Sequence, residues 1–192
     1  VVVGNRLFIG SMDGAVYARD ASTGAPVWKV QTGGPVRDAV GVLGAQVIAS
    51  SHDGWTYAFN VADGAQAWKT PTGASATAPL IDDARNRVFV ASTSGALTAL
   101  DGATGAVLWT FDAGATILTT PALSADGAIV YLGNEAVQAI AVDAATGQQR
   151  WRSTLQGQSL GDRYPSVAGA SVIYRSQPLD HFHRLLREGD AT

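Results

Sequence analysis

The stretch Asp101-Gly102-Ala103-Thr104-Gly105 is followed four residues later by Trp109, and it is one of four related copies in this chain of 192 residues. The other copies begin at Asp20, Asn60 and Asp143 and lead to Trp28, Trp68 and Trp151, respectively. Successive tryptophans are therefore 40, 41 and 42 residues apart (28 to 68, 68 to 109 and 109 to 151). A nearly constant period of about 40 residues indicates that the chain is built from repeated supersecondary units.

The third repeat shows what each unit contains. Short segments rich in β-branched and aromatic residues alternate with turns that contain glycine, which is typical of antiparallel strands. The four segments are residues 87–92, 96–100, 106–111 and 117–123. Asp101 can accept hydrogen bonds from the backbone of the following turn, and Gly105 can adopt a positive φ. Each repeat is therefore predicted to be a four-stranded meander, and this period favours the blades of a β-propeller.

Two positions in each repeat are predicted to pack between neighbouring sheets. The second segment carries an alanine at one fixed place, where only a small side chain is expected to fit: Ala18, Ala58, Ala99 and Ala141. The tryptophan lies near the outer edge, and burying one indole removes about 150–250 Å² from water. We therefore expect four structural docking residues, each with its indole N–H bound to a turn backbone: Trp28, Trp68, Trp109 and Trp151.

These copies resemble the pyrroloquinoline-quinone-type β-propeller repeat, whose docking motif is Asp-x-x-Thr-Gly with a tryptophan four residues later. The resemblance covers residues 4–176, and the second copy departs from it because Asn60 replaces Asp and Asp63 replaces Thr. It implies an all-β fold of four-stranded antiparallel blades around a central channel, in rings that usually have seven or eight blades. Members include outer-membrane assembly lipoproteins, sensor propellers and quinoprotein dehydrogenases.

The predicted domain organisation follows the repeats. The blades are expected at residues 4–30 (partial), 34–70, 74–112, 115–155 and 163–176 (partial). Residues 177–192 lack the alternating pattern and are expected to form an irregular or helical extension. The usual number of blades favours a fragment of a larger ring. The alternative is a four-bladed ring in which residues 164–168 complete the first blade.

Composition excludes several classes of function. The net charge is −3 and the basic residues are scattered, so the sequence lacks the footprint of a nucleic-acid-binding protein. The chain has no cysteine, which excludes thiolate metal sites and disulfides. No apolar stretch reaches the roughly 20 residues that a membrane span needs. The nucleophile-elbow, zinc-protease and phosphate-loop motifs are also missing.

Three places depart from the repeat and are candidate ligand-binding residues at the mouth of the channel. Arg37 and Asp38 are expected in the innermost strand of the second blade, where the other blades carry Thr77-Ala78 and Thr119-Thr120. They could contact a polar ligand or form an ion pair with each other. Trp55 has no counterpart in the other repeats and could stack on a ligand or cover a loop. Two further candidates occupy the corresponding place in the fifth blade: Arg163 and Tyr164.

A full set of structural motifs without a catalytic set favours a non-catalytic binding or scaffold propeller. By resemblance, it would lie in the periplasm, at the cell surface or outside the cell. It would bind a protein or a small ligand through its loops or channel mouth, with no cofactor and no metal. The alternative is part of a quinoprotein dehydrogenase that oxidises alcohols or sugars with pyrroloquinoline quinone and calcium, although the adjacent cysteines of some such enzymes are missing here.

Overall fold

The structure is a computed structural model that describes residues 1–155, 165–168 and 171–173. In this part of the chain, the regular elements are eighteen β-strands and one short 3-10 turn, Asp83–Arg85. No helix in the described part is long and apolar enough to cross a membrane.

The strands form four sheets of four antiparallel strands, and the order of strands in each sheet follows the chain. The first sheet contains β1 (Val2–Val3), β2 (Arg6–Gly10), β3 (Ala15–Asp20) and β4 (Pro26–Gln31). The second contains β5 (Gly41–Leu43), β6 (Gln46–Ser50), β7 (Trp55–Asn60) and β8 (Gln66–Pro71). The third contains β9 (Leu80–Asp82), β10 (Arg87–Ala91), β11 (Ala96–Asp101) and β12 (Val107–Asp112). The fourth contains β13 (Ala122–Leu123), β14 (Ile129–Asn134), β15 (Gln138–Asp143) and β16 (Gln149–Thr154). A separate pair consists of β17 (Ser166–Ala168) and β18 (Ser171–Ile173).

Consecutive sheets are arranged as the blades of a propeller. The first strands of neighbouring sheets lie together, because β5 contacts β9, β9 contacts β13 and β13 contacts β17. A cluster of buried apolar side chains fills each space between neighbouring sheets. Between the third and fourth sheets, for example, Phe89 and Leu97 pack with Leu132 and Ile140. The predicted all-β propeller fold is therefore confirmed.

The first blade differs from the sequence prediction, which left it partial and without its innermost strand. Residues Val2–Val3 supply that strand, and Val3 pairs with Arg6 across a tight turn. Gly4 makes the turn possible because it adopts a φ of 56°. The suggestion that residues 164–168 complete the first blade is also wrong, since Ser166–Ala168 pairs with β18 instead.

The turn between the third and fourth strands is held by the aspartate of the repeat. Asp101 Oδ1 accepts hydrogen bonds from the backbone N–H of Ala103 and Thr104 and from the Thr104 hydroxyl, at 3.1, 2.9 and 2.8 Å. Equivalent bonds to Asp20 and Asp143 hold the turns of the first and fourth blades.

The same turn in the second blade is bonded differently, as its altered sequence predicted. It has Asn60 in place of the aspartate, and Asp63 Oδ1 accepts the Ala65 N–H at 2.9 Å. In the other turns a threonine hydroxyl has this role, as Thr104 has toward Ala106. An acidic side chain at the threonine position therefore still closes the turn.

Replacing Asp143 with asparagine should make the stability of the protein less sensitive to acid. Arg150 and the N–H of Thr146 lower the pKa of Asp143 to about 2, below the unfolded-state value of about 3.9. The carboxylate therefore stabilises the fold above about pH 4, and this contribution is lost as the pH falls toward about 2. Thermal melts between about pH 6 and about pH 2 should show a shallower fall in Tm for the variant, and parallel curves would contradict this account.

The repeated alanine lies beside a β-bulge that the sequence analysis did not predict. All four alanines are fully buried: Ala18, Ala58, Ala99 and Ala141. In every blade the pairing between the third and fourth strands shifts immediately after this alanine. In the third blade, Ala99 pairs with Trp109 and Leu100 with Val107, so Leu108 is the extra residue of the bulge. Its side chain is 46% exposed, on the outer edge of the blade.

Candidate functional site

The side chains of the first three tryptophans each pack against the turn between the third and fourth strands of the following blade. Trp68 is 7% exposed, and its Nε1 donates a hydrogen bond of 3.0 Å to the carbonyl of Gly102. At the equivalent place in the turns of the second and fourth blades, Val61 O accepts from Trp28 Nε1 at 3.0 Å and Ala144 O accepts from Trp109 Nε1 at 3.2 Å.

The fourth tryptophan has different surroundings in the described part of the chain. Trp151 is 41% exposed, and its indole N–H has no described acceptor. Its ring centroid lies 6.2 Å from that of Tyr131 within the same blade. The four copies of the motif therefore differ in how much of the indole the described residues cover.

Two kinds of chain segment lie at one end of the propeller. Together we call them the rim. The first kind is the turn between the second and third strands of each four-stranded blade, at residues 11–14, 51–54, 92–95 and 135–137. The second is the connection from one blade to the next, at residues 32–40, 72–79 and 113–121. Because the strands are antiparallel, both kinds lie at the same end.

Backbone hydrogen bonds join the rim from blade to blade. In the first connection, the Val36 N–H donates to Ser11 O at 3.0 Å, and Pro35 O accepts the His52 N–H at 2.8 Å. The next two connections repeat the pattern with these pairs: Ser75 to Ser51, Thr93 to Ala74, Ile117 to Ser92 and Glu135 to Thr116. Each connection is therefore tied to the turns of both blades that it joins, and the rim is a continuous bonded frame.

These bonds also correct the sequence comparison of the connections. Since Val36, Ser75 and Ile117 donate equivalent bonds, the next residues correspond, and Arg37 matches Ala76 and Leu118. The comparison with Thr77-Ala78 was therefore shifted by one residue. Arg37 is the charged member of this set, and Leu118 is exposed at 39%.

Arg37 and Asp38 lie in the first connection rather than in the innermost strand that was predicted, because that strand begins at Gly41. They form no ion pair. Asp38 Oδ1 accepts the Ala39 N–H at 2.7 Å, and its Oδ2 accepts the Ala78 N–H of the next connection at 3.1 Å. The exposed Arg37 guanidinium has no acceptor among the described residues.

A recess of about 340 Å³ lies beside Arg37, between β2 and the first connection. It is lined by apolar residues and by the charged pair: Val1, Leu7, Phe8, Ile9, Ala39, Arg37 and Asp38. Gly10 also lines it and lies close to the connection: a Cβ on Gly10 would be 2.5 Å from Val36 Cγ1 and 3.0 Å from the carbonyl oxygen of Asp38.

Replacing Gly10 with alanine should therefore destabilise the protein by about 1–3 kcal/mol, since the new methyl group pushes against the backbone of the connection. Urea unfolding of the variant checks this value. Gly41→Ala is the control, because the three atoms nearest to its Cβ all belong to side chains, those of Ile81 and Pro79, and a side chain can shift more easily than backbone. An equal loss in both variants would contradict the tight approach at Gly10.

Trp55 lies at the rim end of β7 and is partly buried. It packs against the apolar cluster between the first and second blades, and Lys69 Nζ lies over the ring, 4.7 Å from its centroid. The turn before it is held by Asp53, which accepts from the Gly33 N–H and the Tyr57 hydroxyl, both at 2.7 Å. Partial burial acts to raise the pKa of Asp53, but these hydrogen bonds hold it below its ordinary value. The Trp55 ring is thus partly covered by its own blade.

The remaining candidates cannot be placed. Arg163 and Tyr164 lie outside the described residues, as do residues 177–192 with their predicted extension. Within the described residues, no group of three or more histidine, aspartate or glutamate side chains is arranged to hold a metal ion.

The rim was largely missed by sequence reasoning. Its bonds are backbone contacts between residues about one repeat apart, and backbone groups are the same in every residue. The available signal is the abundance of small residues in the connections, such as Gly33-Gly34 and Gly73-Ala74-Ser75. These were interpreted as turn formers only.

The chain matches known proteins both in sequence and in structure. The sequence profile of the family described as outer membrane protein assembly factor BamB matches residues 1–85, 84–140 and 122–184. A segment of 79 residues is 35% identical to a polyvinylalcohol dehydrogenase of a Pseudomonas species. This match covers 38% of this chain and 12% of that enzyme. The chain thus spans a small part of the curated relatives that it matches.

Two solved structures have the same fold over most of the chain. The BamB structure of Moraxella catarrhalis has a TM-score of 0.71 and 29% identity, covering 83% of this chain and 51% of that one. A quinohemoprotein alcohol dehydrogenase of Pseudomonas putida HK5 has a TM-score of 0.69 and 19% identity, covering 80% and 33%. Since the family profile matches most of the residues and the blades carry its repeat, this chain belongs to the family of outer membrane protein assembly factor BamB, with pyrroloquinoline-quinone-type propeller repeats.

Proposed function

We propose that this chain belongs to a non-catalytic propeller of the cell envelope that binds a protein partner through its rim. The observation that carries the proposal is a bonded rim whose equivalent positions have different side chains, which are the exposed Arg37 and Leu118 and the half-buried Ala76. A role in outer-membrane protein assembly, as the description of the family names it, requires such a binding surface.

The chemistry of the rim supports a protein partner. Met12 and Leu118 expose 60% and 39% of their surface there. An apolar side chain that a partner covers contributes to affinity, at about 25 cal/mol for each Å² removed from water. The backbone bonds between blades also hold the rim in one conformation before binding, which lowers the entropy cost of association.

A photo-crosslinking amino acid at position 118 tests this proposal in the cells that make the protein. Position 108 is the matched control, because Leu108 is also an exposed leucine, at 46%, but lies on the outer edge of its blade. We expect one defined crosslinked protein, identified by mass spectrometry as part of an envelope assembly machinery, from position 118 only. Equal crosslinking at both positions, or none at position 118, would overturn the proposal.

The similarity to polyvinylalcohol dehydrogenase favours a second function, a quinone-dependent oxidation of alcohols. When bound, pyrroloquinoline quinone would accept the electrons, and calcium would need about six to eight oxygen ligands. The described residues do not fit such a site. No group of three carboxylates or histidines lies together among them, and both oxygens of Asp38 accept backbone N–H groups.

An activity assay separates the two functions. Pyrroloquinoline quinone and calcium are added to the purified protein, and dye reduction is followed with alcohols, including polyvinyl alcohol, as substrates. We expect no turnover above that of a heat-denatured sample. Stoichiometric quinone absorbance together with turnover would establish the dehydrogenase instead.

A further inference from the structure

We propose that a buried water molecule binds in the junction between the second and third blades, held by the hydroxyl groups of Ser50, Thr56 and Ser75. The site lies inside the propeller and does not depend on the function of the rim. Three observations carry it. Hydroxyl side chains replace apolar ones in this junction, they lie next to one another, and one of them is buried without a hydrogen-bond partner.

The face that the second blade turns toward the third differs in chemistry from the corresponding faces of its neighbours. Because side chains alternate along a strand, this face is marked by Ile48 and Ala58, which belong to the apolar cluster between the two blades. Four positions of this junction carry hydroxyl groups: Ser50, Thr56, Thr70 and Ser75. The equivalent positions between the first and second blades are Gly10, Val16, Val30 and Val36. Those between the third and fourth blades are Ala91, Leu97, Phe111 and Ile117.

The three proposed ligands are neighbours in space. Ser50 and Thr56 pair directly across β6 and β7, which places their Cβ atoms about 4.5–5.5 Å apart. The repeat places Ser75 beside Ser50, because at the equivalent positions of the first junction a Cβ on Gly10 would be 2.5 Å from Val36 Cγ1. The three hydroxyls are therefore within reach of one shared water molecule.

The hydrogen bonds of this group leave one hydroxyl unused. Thr56 Oγ1 lies 2.8 Å from Thr72 Oγ1, and Ser75 Oγ donates to Ala91 O at 2.9 Å. Ser50 is 5% exposed, and its Oγ has no hydrogen-bond partner among the described residues. Leaving a buried hydroxyl unpartnered is unfavourable, and a buried water typically makes about three hydrogen bonds to such groups. A water here accepts from Ser50 and donates to Thr56 and Ser75.

Smaller side chains on both sides of the junction provide the room. Ser75 lies where the other two connections have the larger Val36 and Ile117. The third blade contributes Thr98, where its neighbours have larger residues at the equivalent positions: Tyr57 and Ile140. The hydroxyl groups are uncharged and enclosed, which favours a neutral water molecule over an ion.

Deuterium magnetic relaxation dispersion, which counts water molecules that stay bound longer than the protein tumbles, tests the proposal. Ser75→Val copies the side chain of the first connection, and we expect it to lower the number of long-lived waters by one. Ala91→Ser is the matched control. It places a hydroxyl at the position equivalent to Ser50, but among Leu97 and Ile117, and should leave the number unchanged. An unchanged number in Ser75→Val, or a water gained in Ala91→Ser, would overturn the proposal.

Ser50→Ala gives a second test that adds no atoms to the junction, so it stays informative if Ser75→Val does not fold. If Ser50 bonds to a water, the substitution removes a hydrogen bond and lowers the urea midpoint of unfolding. If the hydroxyl is unpartnered, the substitution removes a desolvated polar group and raises the midpoint. We expect the midpoint to fall, and a midpoint equal to or above that of the original protein would show that no water is held there.

Discussion

Replacing Trp68 with alanine should lower the free energy of unfolding by about 3–5 kcal/mol, which is typical of a buried tryptophan. The indole is 7% exposed, lies on the turn of the third blade, and donates its N–H to Gly102. The substitution opens a cavity between two sheets and leaves that carbonyl without its donor. Urea unfolding monitored by circular dichroism measures the loss.

Trp151→Ala is the matched control for this prediction, because the same residue type sits in the same motif. Its ring is 41% exposed, and no indole acceptor is described. We expect a loss of less than about 1.5 kcal/mol, in the range of substitutions outside a core. If both variants lost the same free energy, the contact of each indole with the following turn would not be the source of the stability.

Replacing Gly105 with alanine should cost about 2–5 kcal/mol, from two separate causes. The φ of this glycine is 72°, and placing a side chain in that region costs about 1–2 kcal/mol. A Cβ there would also lie 2.6 Å from the ring of Trp68 and 2.8 Å from Thr70 Oγ1. Displacing the indole adds about 1–3 kcal/mol.

The chain contains its own control for the second cause. Gly24 occupies the same place in the first repeat and has the same φ of 72°, but a Cβ there would meet nothing within 4 Å. Gly24→Ala should therefore show only the backbone cost of about 1–2 kcal/mol. The difference between the two variants, measured by urea unfolding, isolates the contact with the ring, and no difference would mean that the indole moves aside freely.

The repeat made most of the fold predictable. Period, turn residues and strand patterns are local signals, and they predicted the four-stranded blades and the turn carbonyl that accepts the indole N–H of Trp28, Trp68 and Trp109. The sequence predicted the positive φ of the last glycine in the motif but not its contact with a tryptophan ring. The rings of Trp28, Trp68 and Trp109 lie against Gly64, Gly105 and Gly147, each in the following repeat. A contact between successive repeats is not visible in the local sequence of either one.

The candidate site was less predictable, because its key contacts join residues far apart in sequence. The pair Arg37-Asp38 stood out by composition, and an ion pair was one reading of it. The structure instead bonds Asp38 to the Ala78 N–H of another connection. No property of residues 37 and 38 encodes that partner.

The indole contacts between blades run in one direction, since the tryptophans of the first three blades each bind the turn of the blade that follows. Each unit thus has a donor side and a receiving side that are chemically different, so two blades can join in only one order. A head-to-tail series of this kind leaves no unused side only if its rotation closes a circle. Loss of one contact weakens a single junction, and the effect on its more distant neighbours should be small, because such arrays add their stability junction by junction.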